Sequence, residues 1–245
     1  TNAFKRNLEA RGIDGSKIHV VTNGADLTRF QPTQTDRELA EALGLRGKFV
    51  AGYIGTHGLA HALETLLEAA ALLQAEGRDN IHLLFLGDGA SKEALVARAK
   101  ELELENVTFV DSVPKADVVR YWSLLDVSII HLRRTDLFTT VIPSKLFECM
   151  AMGIPVLHGV RGESAQIVEA EGAGLTFEPE DATQLRDRLV ELADDRDLAA
   201  RLGVNGLAGA RNYDRRHLAG RMLDVIEDCL PQRRRKEPRE TDDPA

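Results

Sequence analysis

KFVAGYIGTHGLAHALETLLEAAALL, residues 48–73, decides the fold. From Phe49 to Gly55 it is a short β-type apolar run that stops at a glycine. Behind that glycine, Leu59, Leu63, Leu66, Leu67, Ala70 and Leu73 recur at the three-and-four spacing of one helix face. A strand that is apolar throughout, rather than alternating, suits a position covered on both sides, which is where a parallel sheet puts its strands.

The same alternation continues down the chain. Apolar runs return at IHLLFLGDG (81–89), NVTFVD (106–111), DVSIIHL (126–132), IPVLHGV (154–160) and GLTFE (174–178). A helix-sized segment separates each pair, one of them from Ser91 to about Glu103. This order predicts an α/β fold, a Rossmann-like parallel sheet flanked by helices, over residues 31–204. Residues 205–230, with amphipathic HLAGRMLDVIEDCL at 217–230, are expected to add closing helices. The remaining ends read as a linker over residues 1–30 and a disordered charged tail over 231–245, where PQRRRKEPRE runs into TDDPA.

Bulk composition narrows the function. A formal net charge of −8 argues against a dedicated nucleic-acid binder, which would carry a basic face. The basic part of the tail reads as solvated in preference to a membrane contact. Cys149 and Cys229 lack the spacing of a metal or redox pair, which fits a reducing compartment. With no signal peptide and no apolar run of about 18 residues, a cytoplasmic location is expected, peripheral at most to the inner face of a membrane. The start, TNAFKRNLEARGI, has no initiator Met and reads as the end of a helix, so a fragment whose preceding half is absent is expected.

In doubly wound folds ligands bind where strands run out into helix N-termini, so those loops hold the candidates. The first, GYIGTHGLAH (52–61), spaces Gly52, Gly55 and Gly58 as G-x-x-G-x-x-G, not as the dinucleotide fingerprint. Thr56 and His57 sit where a phosphate would lie on the following helix, although a plain tight turn explains the glycines equally well. The second, LGDGAS (86–91), repeats the strand–glycine turn at Gly87, with Ser91 also readable as an ordinary cap. The third, VDSVPKADV (110–118), reads first as a turn with Ser112 or Asp117 as turn and capping residues, although a stiff loop around Val113 and Pro114 could also present backbone to a flat base.

The fourth, TTVIPSKLFECMAMGIPVLHG (139–159), places Pro143 at a first helical position and Gly153 just past a helix end. Leu146, Phe147, Met150 and Ala151 share a core face, while Ser144, Lys145 and Glu148 share the other side. A lysine in the first turn opposes the helix dipole, and a bound anion would reverse that penalty. The competing explanation is a surface Lys145–Glu148 ion pair at i, i+3, worth at most ~0.5 kcal/mol. A further turn, Gly162-Glu163-Ser164, either opens a helix plainly or meets ligand hydroxyls. No G-x-S-x-G elbow, Walker lysine or H-E-x-x-H is present, and scattered histidines such as His82 and His131 read as structural.

Five stretches together carry a family resemblance: VVTNGADLTRFQP (20–32), ALETLLEAAALL (62–73), LFLGDGASKEALVARAKELELENVTFVDSV (84–113), LFECMAMGIPVL (146–157) and IVEAEGAGLTFEPED (167–181). In this order they resemble the C-terminal, donor-binding domain of retaining GT-B glycosyltransferases of family 4. The G-T-H-G and P-S-K-L-F-E motifs are similar to those of capsule and O-antigen members. The resemblance implies the C-terminal half of a GT-B fold, with residues 1–30 crossing from a missing N-terminal domain. It implies a UDP- or GDP-sugar donor, no cofactor or metal, and a saccharide or lipid-linked acceptor in surface polysaccharide synthesis.

Carried over by position, Glu148 matches the second glutamate of the family's E-x7-E motif, which holds the ribose hydroxyls. Thr140 stands at the place of the first. Val113 falls on the loop that meets the nucleobase, Gly87 on the second glycine turn, and Gly55 and Thr56 beside the diphosphate. GTHGLAH lacks the Arg and Lys that many members use there. Lys145 is therefore the candidate that balances the departing diphosphate, assisted by His57, with Ser144 beside it. Readings kept beside this one are a UDP-sugar 2-epimerase, a non-catalytic nucleotide-sugar-binding subunit of a split transferase and, least favoured, a dehydrogenase using Asp88.

Overall fold

A computed structural model describes residues 1–230. The tail expected over 231–245 lies outside the described residues. The elements run α1 (Asn2–Ala10), α2 (Arg37–Ala42), β1 (Phe49–Ile54), α3 (Glu64–Ala75), β2 (Ile81–Leu86), α4 (Lys92–Glu101), β3 (Val107–Val110), α5 (Val118–Trp122) and β4 (Val127–His131). They continue with α6 (Lys145–Met152), β5 (Val156–Gly159), α7 (Glu163–Ala170), β6 (Gly174–Thr176), α8 (Ala182–Asp194), α9 (Arg196–Ala210) and α10 (Arg215–Asp228). Each of the six apolar runs is a strand, and all six pair in parallel in the order β3-β2-β1-β4-β5-β6. Strand order reverses between β1 and β4, and that is where such folds open a crevice.

Position in the sheet explains burial. β1, β2, β4 and β5 are buried along their whole length, whereas the edge strands β3 and β6 are half-buried. Along β1, Val50 and Ile54 point to a core shared with Leu146, Phe147 and Met150 of α6. The intervening Phe49, Ala51 and Tyr53 point to a second core with Leu66, Leu67 and Leu73 of α3 and Leu185, Leu189 and Leu192 of α8. Leu73 is fully buried, so Leu73→Ala is expected to cost about 2–5 kcal/mol, read as a lower midpoint in urea unfolding.

Two boundaries differ from the sequence-based expectation. The closing helices begin at Arg196, so the boundary at 204/205 falls inside α9. Gly203 and Gly209 belong to the interior of that helix because they are contact points: a Cβ would lie 2.3 Å from the Gly153 carbonyl oxygen or from Glu171 Oε2. At α6 the first helical residue is Lys145, with Ser144 as its cap, so Pro143 precedes the helix. Gly153 ends α6 in the left-handed conformation, as its position in the sequence predicts.

Residues before β1 are anchored at both ends of the segment. Thr1 Oγ1 donates to the Thr140 carbonyl, and the Glu163 carboxylate accepts from Asn2 N and Ala3 N. Further along, Ala25 forms an isolated parallel bridge with Asp214, just ahead of α10.

Candidate active site

The carboxyl ends of β1, β2 and β3 are laced together beyond the sheet. Gly55 N donates to the Leu86 carbonyl at 2.9 Å, Gly87 N to Val110 at 3.1 Å and His57 N to Asp88 at 2.8 Å. Lys92 Nζ, from the first turn of α4, donates to the Gly87 carbonyl at 2.9 Å. These contacts require the two loops to touch backbone to backbone. At Gly87, with φ of 145°, a Cβ would stand 1.9 Å from the Gly55 carbonyl oxygen.

Over this floor lies an open cleft of about 290 Å³, lined by Ile54, Gly55, Thr56, Leu86, Gly87, Asp88, Ser112, Val113 and Val118. Gly55, Thr56, Gly87 and Val113, drawn from three separate loops of the sequence, therefore share one wall-and-floor arrangement. Its apolar end, at Val113 and Val118, suits a planar ring, and its glycine end brings backbone close to whatever lies beyond.

Lys145 comes up beneath the glycine end. Its Nζ is buried, has no hydrogen-bond partner among the described residues, and lies 3.8 Å from the centroid of the Tyr53 ring. A Cβ on Gly55 would come within 2.6 Å of the same nitrogen. Burial lowers the Lys145 pKa to about 8, with Cys149 and Glu148 pulling the other way. The surface ion pair considered from the sequence is thus overturned: the ammonium is inside, and no salt bridge joins it to Glu148 among the described residues. The helical wheel missed this because it cannot show that the long Lys145 side chain reaches Tyr53 and Gly55 at the end of β1.

Glu148 follows one turn later and is half-buried. Burial raises its pKa, and Arg215, Lys145, Arg29 and Lys115 oppose that shift. Of these, Arg215 is held by a 2.9 Å bond from Nη2 to the Gly24 carbonyl. Asn23 Nδ2 in turn donates to Ser144 Oγ, tying residues 23–24 to the cap of α6. Asn23, Arg29 and Arg215 have no signal in any local spacing, since each reaches α6 from far along the chain, and Tyr53, although next to the first loop, reads there as an ordinary strand aromatic.

Lys145, Ser144, Glu148, His57 and Thr140 are not among the residues that line the cleft, and the last two are engaged elsewhere. The His57 ring is fully buried among Tyr53, Phe85 and Phe109, at centroid distances of 5.9, 6.1 and 6.4 Å. Burial first, then the charges of Lys92 and Lys145, lower its pKa to about 4. A neutral, inward-facing imidazole carries no positive charge, so the charge at the glycine end comes from Lys145. Thr140 closes the 3₁₀ turn 136–140, its hydroxyl donating to the Leu137 carbonyl at 2.7 Å and its carbonyl accepting from Thr1. His131 and His82 are structural, bonded to the carbonyl of His61 and to Thr108 Oγ1. Among the described residues no group of three or more His, Cys, Asp or Glu is arranged to hold a metal, and no helix is long and apolar enough to cross a membrane.

Residues 35–209 match the family model described as glycosyl transferases group 1. The chain belongs to that family. Among relatives of this group 1 chain, the D-inositol 3-phosphate glycosyltransferase of Nocardia farcinica is 30% identical over 232 residues, covering 91% of this chain and 50% of the relative. The putative colanic acid biosynthesis glycosyltransferase WcaL of Salmonella typhimurium is 31% identical over 189 residues, covering 76% and 44%. This group 1 chain spans about half the length of the curated relatives it matches. The structure of Anabaena Alr3699/HepE in complex with UDP and glucose is similar at a TM-score of 0.80 with 19% identity, over 94% of this chain and 62% of that one. That likeness is one of fold.

Proposed function

We propose that this group 1 chain is the donor-binding domain of a retaining glycosyltransferase, holding the nucleoside diphosphate of a UDP- or GDP-sugar for transfer to a saccharide or lipid-linked acceptor. The observation that carries the reading is the buried ammonium of Lys145, without a hydrogen-bond partner among the described residues and close to Gly55 at the glycine end of a cleft formed by three βα loops. A buried cation without a counter-ion is costly. A diphosphate above Gly55 would supply the missing charge, and the same contact would stabilise the charge that grows on the leaving group as the glycosidic bond breaks.

In this arrangement the base lies against Val113 and Val118, the ribose diol meets the Glu148 carboxylate, and the phosphates lie over Gly55 and Thr56 near Lys145. A carboxylate is a double acceptor and fits a cis-diol. Surface polysaccharide is the product class suggested by the capsule-like motifs and by the colanic acid relative. Acceptor contacts and the second half of the cleft belong to a further N-terminal domain. Calorimetry of the 245-residue chain against UDP, GDP and their glucose and mannose derivatives tests the reading. Micromolar to submillimolar binding of one nucleotide series is expected, and no heat with any of them at millimolar concentration would overturn it.

Two further expectations follow from the same contacts. Glu148→Gln should weaken UDP binding on the order of tenfold or more, the range for a hydrogen bond to a charged group. The effect should nearly vanish with 2′-deoxy-UDP, which separates a ribose contact from a general loss of structure. The pH response has a sign set by Lys145, whose neighbours are Glu148 and Cys149 on α6 and Tyr53, His57 and His61 on and after β1. Its pKa of about 8 lies below the ordinary 10.5, so between those values the unfolded chain holds a proton that the folded chain has released. Without nucleotide, stability should therefore rise with pH through that window, while UDP affinity falls above pH 8 as the ammonium is lost. Paired urea melts and titrations from pH 7 to 10 check both signs.

A further inference from the structure

Tyr53 is fully buried in β1, beside Phe85 of β2, and its position in the second core accounts for its ring as packing alone. Two of its contacts have no part in packing. Its hydroxyl donates to the Thr56 carbonyl at 2.9 Å, and its ring face receives the Lys145 ammonium at 3.8 Å. Both contacts converge on one residue, because a Cβ on Gly55 would lie 2.6 Å from Lys145 Nζ and 4.0 Å from Tyr53 Oη. One aromatic side chain thus touches the buried cation and the turn that faces the cleft.

We propose that Tyr53 is a positioning residue for anion binding: its ring holds the Lys145 ammonium below Gly55 without neutralising it, and its hydroxyl fixes the Gly55–Thr56 turn. The proposal rests on the reading of the cleft as a diphosphate site. Its physical basis is the difference between a π face and a carboxylate as a partner for a buried cation. A carboxylate would form an ion pair and cancel the charge that a diphosphate needs. The ring quadrupole attracts the ammonium most strongly where water is excluded, yet carries no formal charge and accepts no conventional hydrogen bond. The N–H donors of Lys145 are left unpaired, since none has an acceptor among the described residues. The ring also keeps a long, flexible side chain from swinging out to solvent, so less ordering remains to be done when an anion arrives. The hydroxyl does the same for the turn, whose other backbone hydrogen bonds among the described residues come from Gly55 N and His57 N, with Ser91 N donating to the His57 carbonyl just beyond.

An isosteric series separates this role from packing. Position 53 is filled in turn by phenylalanine and by its 4-fluoro, 3,5-difluoro and 3,4,5-trifluoro analogues, and UDP affinity of the 245-residue chain is measured by calorimetry. Fluorination weakens the negative face while keeping the ring's shape, so affinity should fall stepwise, by about five- to tenfold across the series. Tyr53→Phe alone should lose about three- to fivefold, from the freed turn. The same series in a Lys145→Met background should be flat. A flat series with Lys145 present overturns the role of the ring, and wild-type affinity in Tyr53→Phe overturns the role of the hydroxyl. Wild-type UDP affinity in Lys145→Met would instead remove the diphosphate reading of the lysine, whatever Tyr53 does.

Discussion

Lys145→Met should make the chain more stable and a much weaker binder of a nucleoside diphosphate. The two effects have one cause. In the wild type a buried ammonium lies against the Tyr53 ring with no hydrogen-bond partner among the described residues, and methionine fills the same volume without a charge to desolvate. Relief of that burden is worth about 1–3 kcal/mol, which for a chain of this size raises Tm by several degrees. Affinity moves oppositely. Removing one partner of a buried, charge-assisted contact costs about 2–5 kcal/mol, so UDP should bind about 30-fold more weakly or worse. Melting and calorimetry on the same two samples check this. A variant that is both less stable and equally able to bind would show that Lys145 is a structural residue. Lys145→Arg is not a neutral control, since the planar guanidinium is larger and cannot stack into the space left beneath Gly55 without displacing it.

Gly87→Ala should be among the most damaging one-carbon changes the chain can suffer. Its backbone sits at φ 145°, a conformation that L side chains rarely adopt, and the added carbon would land 1.9 Å from the Gly55 carbonyl oxygen. Nothing at that contact is a flexible side-chain end, so the relief must come from separating the two loops. A backbone strain of 1–3 kcal/mol plus the displaced hydrogen bonds gives a loss of at least about 3 kcal/mol. Because those loops are the cleft floor, UDP binding should disappear even in the fraction that remains folded. Urea unfolding measures the first effect, and titration below the transition measures the second. A midpoint unchanged within error would mean that the close approach of Gly55 and Gly87 is dispensable.

Much of this architecture is legible in sequence because it is written at short range. Strands buried on both faces need unbroken apolar runs, and helices covering them need one apolar stripe, so the six-fold alternation was readable residue by residue. Glycines 55 and 87 were legible for a related reason: a loop that must touch another backbone excludes side chains. What escaped was everything decided by residues distant in the chain. The partner of Lys145 is Tyr53, which the sequence presents as an ordinary strand aromatic. The direction of the His57 ring depends on whether Phe85 and Phe109 leave room for it, and a three-residue loop has no periodicity from which to tell. Gly203 and Gly209 resemble helix breakers until the backbone and the side chain they pack against are known.

The contacts behind α6 give the site a place in time as well as in space. Asn23 reaches Ser144 across 121 positions, and Arg215 reaches Gly24 across 191. Closing loops of that length costs entropy that only nearly complete folding returns, so these contacts form late. During synthesis every residue of the sheet and of the cleft lining precedes α10, so a nascent chain stopped short of residue 215 contains the cleft lining but not the Arg215 contact to Gly24. The support behind α6 is thus completed late in folding, when α10 meets Gly24 and Asn23 meets the cap at Ser144.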